Sequence, residues 1–178
     1  VYKRQVVFPG TGFAEIALAA ALQWQDGDCA ELEELEIHAP LLLNAAPSKL
    51  TRLLLDDADG RFRITARDSN STEPWVKHAS GRLLREARPV RLTQANLSLP
   101  DRAPDFTGDT HNALTRAVGL DYGPAFQAVS HGWMESDTSV LAVLQADPCI
   151  ESELGATHLH PALLDCAFQL IIQLLRND

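Results

Sequence analysis

Val6-Val7-Phe8-Pro9-Gly10-Thr11-Gly12-Phe13-Ala14-Glu15-Ile16-Ala17-Leu18-Ala19-Ala20 reads as a short apolar strand, a Pro-Gly break and then a helix. Phe13, Ile16, Ala17, Ala20 and Ala21 recur at helical spacing, so they form one apolar stripe. Thr11 and Gly12 stand where a cap is expected, and Asp26 to Asp28 carries the turn chemistry that ends the segment. Downstream, apolar residues switch to short alternating runs: Leu32/Leu35/Ile37, Leu50 to Leu55, Phe62/Ile64/Ala66 and Trp75 to Leu84. Asp57-Ala58-Asp59-Gly60 joins two of these runs as a hairpin, and Asp68 to Pro74 joins the next pair. One long helix and a meander of strands make an α+β pattern in which the sheet must wrap around the helix.

Further along, Pro89, Pro100 and Pro104 punctuate a stretch without periodicity, so residues 87–108 read as a linker. A short helix is expected over Asp109 to Val118, stopped by Gly119, and a strand over Ser139 to Ala146. The last segment, Pro161 to Leu175, is helical, with Leu164, Ala167, Phe168, Ile171, Ile172 and Leu175 on one face. Pro161 suits a first helical turn, where its missing donor needs no partner. The layout is therefore a helix with strands over residues 6–86, a linker, and a second unit over 109–178 that begins like the first.

Composition narrows the function classes. The 178 residues are 46% hydrophobic and 22% charged, which is ordinary for a chain that builds a core. Fifteen Lys and Arg against 24 Asp and Glu give a net charge of −9, which argues against a nucleic-acid partner. No apolar run approaches the roughly 20 residues of a membrane span, and a secretory leader is not evident. Cys29, Cys149 and Cys166 are odd in number and widely spaced, as expected of reduced thiols in the cytoplasm.

Three stretches carry candidate chemistry. Asp165 and Gln169 are four apart on an amphipathic helix, hence one turn from each other on one side. Partial desolvation there raises a carboxyl pKa and suits Asp165 to general-acid work, with Gln169 orienting it; a solvated helix carboxylate fits the same spacing. Leu120-Asp121-Tyr122-Gly123-Pro124-Ala125-Phe126 is a tight aromatic turn, either structural or pressing Tyr122 toward a pocket. Pro9 and Gly10 open a helix whose amino end can polarise a carbonyl oxygen, although Gly-x-Gly alone is a weak signal. His158, His160 and Asp165 can also be read as metal ligands, with Pro161 interrupting the set, so no metal is expected. His38, His78, His111 and His131 sit in no constellation and read as surface or core-satisfied residues.

Taken in order, Val6 to Ala20, Leu120 to Phe126 and Leu159-His-Pro-Ala-Leu-Leu-Asp-Cys-Ala-Phe-Gln169 resemble the dehydratase domain of modular polyketide synthases and animal-type fatty acid synthases. Ala79-Ser80-Gly81-Arg82-Leu83 resembles that family's last strand of the first repeat. The resemblance covers residues 6–178 and implies a double hotdog: two repeats, each a long helix wrapped by an antiparallel sheet. It implies loss of water from a β-hydroxyacyl thioester on an acyl carrier protein, giving an enoyl thioester, with no cofactor beyond the carrier's phosphopantetheine. On this resemblance Asp165 protonates the leaving hydroxyl and Gln169 orients it. Tyr122, Gly123 and Pro124 line the pocket, Pro9 closes the family's His-xxx-Gly-xxxx-Pro motif, and Gly10 begins the helix facing the thioester oxygen. Implied partners are the carrier protein, neighbouring synthase domains and a second copy in the parent enzyme.

One part of the motif departs. Its glycine falls on Arg4, and its histidine falls one residue before Val1. Val1-Tyr2-Lys3-Arg4-Gln5 is the translation of GTG TAT AAG AGA CAG, which resembles a transposase mosaic end, so residues 1–5 are expected to be a sequencing scar. With the second hotdog stopping after its central helix, the chain reads as a fragment truncated at both ends and inactive by itself. A degenerate dehydratase serving as an acyl-binding or dimerisation module is the competing reading, and an upstream histidine separates the two.

Overall fold

The computed structural model describes residues 6–25, 30–43, 47–85 and 98–176. It falls into two compact units, Val1–Val90 and Arg91–Asp178. Residues 1–5, expected to be a sequencing scar, the turn expected at 26–28, Cys29 and the part of the expected linker from 87 to 97 lie outside the described residues.

In the first unit, β1 (Val6–Val7) leads into α1 (Gly10–Trp24), followed by β2 (Glu31–Ile37), β3 (Leu42–Leu43), β4 (Lys49–Leu55), β5 (Arg61–Asp68) and β6 (Val76–Leu84). β1 pairs antiparallel with β3, and the main sheet runs β2-β6-β5-β4, antiparallel throughout. Phe13, Ala17 and Ala21 of α1 face Phe62, Ile64 and Ala66 of β5 and Ala79 and Leu83 of β6 in one buried cluster. The alanines on α1 keep the inner face of the helix slim, so the sheet can close on it. This helix-in-sheet wrap is the hotdog arrangement.

Two details depart from simple alternation. The pairing of β5 with β6 shifts between Ile64 and Thr65, passing over His78, so His78 and Ala79 are consecutive and both buried. His78 Nδ1 lies 3.1 Å from the Ala39 carbonyl, to which it donates, and its ring stacks on Phe13 with centroids 6.4 Å apart. The helix cap also sits earlier than Thr11 and Gly12: Pro9 is the N-cap, extended at φ −63° and ψ 139°, and Gly10 is the first helical residue. Proline at that point costs nothing in hydrogen bonds, because helix N-terminal donors are unpaired in any case.

In the second unit, β7 (Phe106–Thr107) runs into α2 (Gly108–Ala117), then β8 (Val129–Ser136) and β9 (Ser139–Leu144) form a hairpin, and α3 (Pro161–Gln169) and α4 (Ile171–Leu175) follow. The sheet order is β7-β8-β9, all antiparallel. β7 falls at the end of the stretch read as linker, and Phe106 is buried in the core with Ala128, Val129 and Cys166. Residues before β7 are anchored too: Arg102 grips Asp105 at 2.7 and 2.8 Å, and Asp105 accepts the Met134 amide. β8 is absent from the sequence reading, since His131 and Gly132 interrupt its apolar pattern, yet its Trp133 is buried.

The C-terminal segment corrects one expectation. The single helix over Pro161 to Leu175 is two helices, because the turn at Leu170 tightens to i→i+3 bonds: Leu170 to Ala167 and Gln173 to Leu170. Its buried face is Ala162, Cys166, Gln169 and Gln173, whereas Phe168, Ile171 and Leu175 of the expected apolar face are 56%, 50% and 58% exposed. The physical reason is that both buried glutamines have hydrogen-bond partners inside the unit, so that face can be buried without orphaned polar groups.

Candidate active site

Asp165 lies in the middle of α3, half-buried. His160 starts that helix as its N-cap, with Nδ1 accepting the Ala162 amide at 3.3 Å and Nε2 3.5 Å from Glu153. That use gives His160 Nδ1 a structural role at the start of the helix, and among the described residues no group of three or more His, Cys, Asp or Glu is placed to hold a metal. Gln169, one turn after Asp165, donates from Nε2 to Asp165 Oδ2 at 3.0 Å and to the Phe126 carbonyl at 3.1 Å. Asp165 and Gln169 are therefore brought together as their spacing requires.

Burial raises the Asp165 carboxyl above its ordinary value, and the Gln169 hydrogen bond partly offsets that rise by favouring the charged form. Tyr122 stands close enough for the Asp165 charge to act on it. Burial first, and then the charges of Asp165 and Cys166, push its phenol up, so it stays a neutral hydroxyl. Tyr122 is carried by the turn before a 3-10 segment, Pro124–Phe126, whose start is fixed by Gly123 in extended conformation and Pro124 at its first position. The Phe126 amide bonds the Gly123 carbonyl at 2.9 Å, Gln127 Nε2 bonds the Tyr122 carbonyl at 2.5 Å, and the Tyr122 and Phe126 rings stack 6.3 Å apart. Cys166 joins the same corner: its sulfur accepts the Ala128 amide at 3.4 Å, and burial raises its thiol pKa. An acid whose second oxygen is held, a neutral phenol and a rigid turn thus share one corner of the second unit.

In the first unit, Pro9 and Gly10 stand at the amino end of α1 beside a cavity of about 320 Å³ lined by Val7, Phe8, Phe13, Ile37, His38 and neighbouring backbone. A Cβ on Gly10 would meet Ile37 Cδ1 at 2.6 Å, so a larger residue there requires the exposed tip of the Ile37 side chain to shift. His38 at the rim is 2.6 Å from Ser80 Oγ through Nε2.

One residue of the second unit escaped the sequence reading. His111, read as a surface or core-satisfied histidine in no constellation, is fully buried against Gln169 and Gln173. Its i,i+4 partner in burial on α2 is Thr115, also polar, so no apolar periodicity marks that face.

Comparison with known proteins gives one consistent answer. A family model described as polyketide synthase dehydratase domain matches residues 1–78, and one described as polyketide synthase dehydratase N-terminal domain matches residues 94–178. The spectinabilin polyketide synthase system protein NorA' of Streptomyces orinoci is 36% identical over 167 residues, covering 91% of this chain and 4% of that protein. Mycoketide-CoA synthase of Mycobacterium tuberculosis is 31% identical over 173 residues, covering 94% of this chain and 4% of its own. Among solved structures, the dehydratase domain from the CurF module of curacin polyketide synthase superposes with a TM-score of 0.79 at 27% identity, covering 94% of this chain and 62% of that one. The dehydratase domain of the terminal module of rifamycin polyketide synthase does so at 0.79 and 28%, with the same coverages. The chain thus spans under two thirds of those domains and a small part of the synthases. With models of one family on both units and solved members of it superposing across both, the chain belongs to the polyketide synthase dehydratase domains.

Proposed function

We propose that this chain supplies the acid side of a dehydration that converts a β-hydroxyacyl thioester, carried on the phosphopantetheine of an acyl carrier protein, to the enoyl thioester. The observation that carries the reading is Asp165: burial favours its protonated form, and Gln169 Nε2 holds its Oδ2 at 3.0 Å. Because Oδ2 is engaged by a donor, the acidic proton resides on Oδ1, the oxygen left to meet substrate. In the reaction a histidine base takes the α-proton, the Cα–Cβ double bond forms, and the Cβ–O bond breaks as Asp165 Oδ1 passes its proton to the leaving hydroxyl, which departs as water. Asp165 remains as a carboxylate held by Gln169 until it is reprotonated. Tyr122, Gly123 and Pro124 shape the acyl-binding wall, and Pro9 and Gly10 set a helix amino end toward the thioester oxygen, where the helix dipole favours developing negative charge. The neighbours in this scheme are the other domains of the synthase, a second copy of the domain and its carrier protein.

The test transplants residues 6–178 into the rifamycin terminal-module dehydratase, so that the recipient contributes the preceding sequence and the remainder of the domain. The chimera is expected to convert a β-hydroxyacyl carrier-protein thioester to the enoyl product, read by mass spectrometry of the carrier. Asp165→Asn in that chimera is expected to cost about 100-fold or more, the usual worth of a positioned general acid. Retained dehydration in the Asp165→Asn chimera sinks the acid role, and a folded chimera that binds acyl carrier without eliminating water supports an acyl-binding module.

A further inference from the structure

Beyond Asp165, Gln169 belongs to a buried polar array whose other members the dehydration scheme does not use. His111, on α2, has Nδ1 2.9 Å from Gln173 Nε2 and Nε2 3.4 Å from Gln169 Oε1. Gln173 Oε1 accepts from Arg176 Nη1 at 3.3 Å, and Gln169 Nε2 reaches both the Phe126 carbonyl and Asp165 Oδ2. His111, Gln169 and Gln173 are 0%, 4% and 2% exposed, so water cannot substitute for a lost partner.

The two ends of the array permit a single direction. A guanidinium offers only donors, so the Gln173 atom meeting Arg176 is oxygen and its NH2 turns to His111. A peptide carbonyl only accepts, so the Gln169 atom meeting Phe126 is nitrogen and its oxygen turns to His111. Between them His111 must accept at Nδ1 and donate from Nε2, which defines one neutral tautomer. A cationic ring would set an Nδ1 hydrogen against the Gln173 NH2. Every donor from Arg176 onward then points toward Asp165.

We propose that His111 is a positioning residue for Asp165: neutral, with its hydrogen on Nε2, it pins the Gln169 oxygen and so keeps the Gln169 nitrogen on Asp165 Oδ2. Without that donor, Gln169 Oε1 is buried and unpaired, and the side chain gains by turning the oxygen toward water and away from the site. The importance of this for catalysis rests on the acid reading of Asp165; the geometry itself does not.

The experiment uses the full chain with 15N-labelled histidine and 13C-labelled aspartate. In the unsubstituted protein at neutral pH, long-range 1H–15N correlation is expected to show His111 protonated at Nε2 alone. A hydrogen on Nδ1, or on both nitrogens, overturns the proposal with no variant needed. In His111→Phe, the Asp165 carboxyl is expected to titrate higher than in the unsubstituted chain, because the carboxylate has lost its Gln169 donor. In His111→Gln, which keeps a donor, the midpoint is expected to return toward the original. The Tyr122 phenol and Cys166 thiol facing Asp165 both stay neutral across that range, so neither contributes to the shift. An unshifted Asp165 titration in a folded His111→Phe chain also overturns the proposal. Failure of the acid reading shows elsewhere, as undiminished dehydration by the Asp165→Asn chimera, and leaves these spectra unchanged.

Discussion

A single buried histidine illustrates how residue chemistry sets the behaviour of the second unit. His111 is neutral in its pocket, and burial lowers its pKa from the ordinary 6.5. In the unfolded chain the ring titrates at its ordinary value, so between the two values the unfolded state binds more protons. The stabilisation is therefore complete above 6.5 and is lost as pH falls toward the folded value. Asp165 has the opposite sign, since its raised folded pKa stabilises below 3.8 and that benefit disappears as pH rises through the folded value. Urea unfolding should accordingly lose stability as pH falls below 6.5, and His111→Phe should flatten that slope. An equally steep slope in the variant would show that another group causes it. The pair Asp165 and Gln169 was legible from spacing alone, because four residues on a helix is a geometric statement. His111 was not, because its neighbours come from segments about sixty positions away and no local pattern announces a polar contact of that range.

At the scale of elements, α1, β5 and β6 were legible because each buries apolar residues whose period survives in the sequence, and β2 and β4 because Leu32, Leu35, Leu53 and Leu55 pack partly buried against that cluster. β8 was not, since the burial of Val129, Gly132 and Trp133 mixes a glycine and a register shift into the alternation. The hairpin between β4 and β5 was read from Asp57-Ala58-Asp59-Gly60, and the structure shows why glycine must end it. Gly60 has φ +75°, its amide bonds Asp56 O at 2.9 Å, and its carbonyl accepts the Leu83 amide at 2.8 Å. A Cβ there would stand 2.1 Å from the Leu83 carbonyl oxygen. Gly60→Ala should therefore cost about 1–3 kcal/mol from backbone strain, with the carbonyl clash adding to it. Thermal unfolding measures this, and a midpoint unchanged from the parent would mean that the hairpin relaxes freely. Nearby, Asp57 accepts the Trp24 indole N–H at 2.7 Å and pairs with Arg85, so the same turn holds the end of α1.

Across the whole molecule, the two units solve burial differently. The first closes an apolar cluster around Phe13, Ala17 and Ala21, whereas the second buries His111, Thr115, Gln169 and Gln173 beside a smaller apolar cluster. Hydrophobic periodicity anticipates the first kind of core, whereas the buried polar residues of the second carry no apolar period. Along the last helices it selected Phe168, Ile171 and Leu175, and these are the side chains left in solvent. A row of large apolar groups at helical spacing is a surface that gains by leaving water: full burial of each such side chain is worth about 1.5–3 kcal/mol. Since these side chains contribute little to the folded interior, charges placed there should alter association and spare the fold. Phe168→Glu with Ile171→Glu should therefore reduce concentration-dependent self-association in sedimentation velocity, while the unfolding free energy stays within about 0.5 kcal/mol of the parent. Loss of stability instead would place both residues in the interior of the folded state. Unchanged self-association would move the adhesive surface elsewhere, with exposed Val6 and Val7 of β1 the next pair to charge.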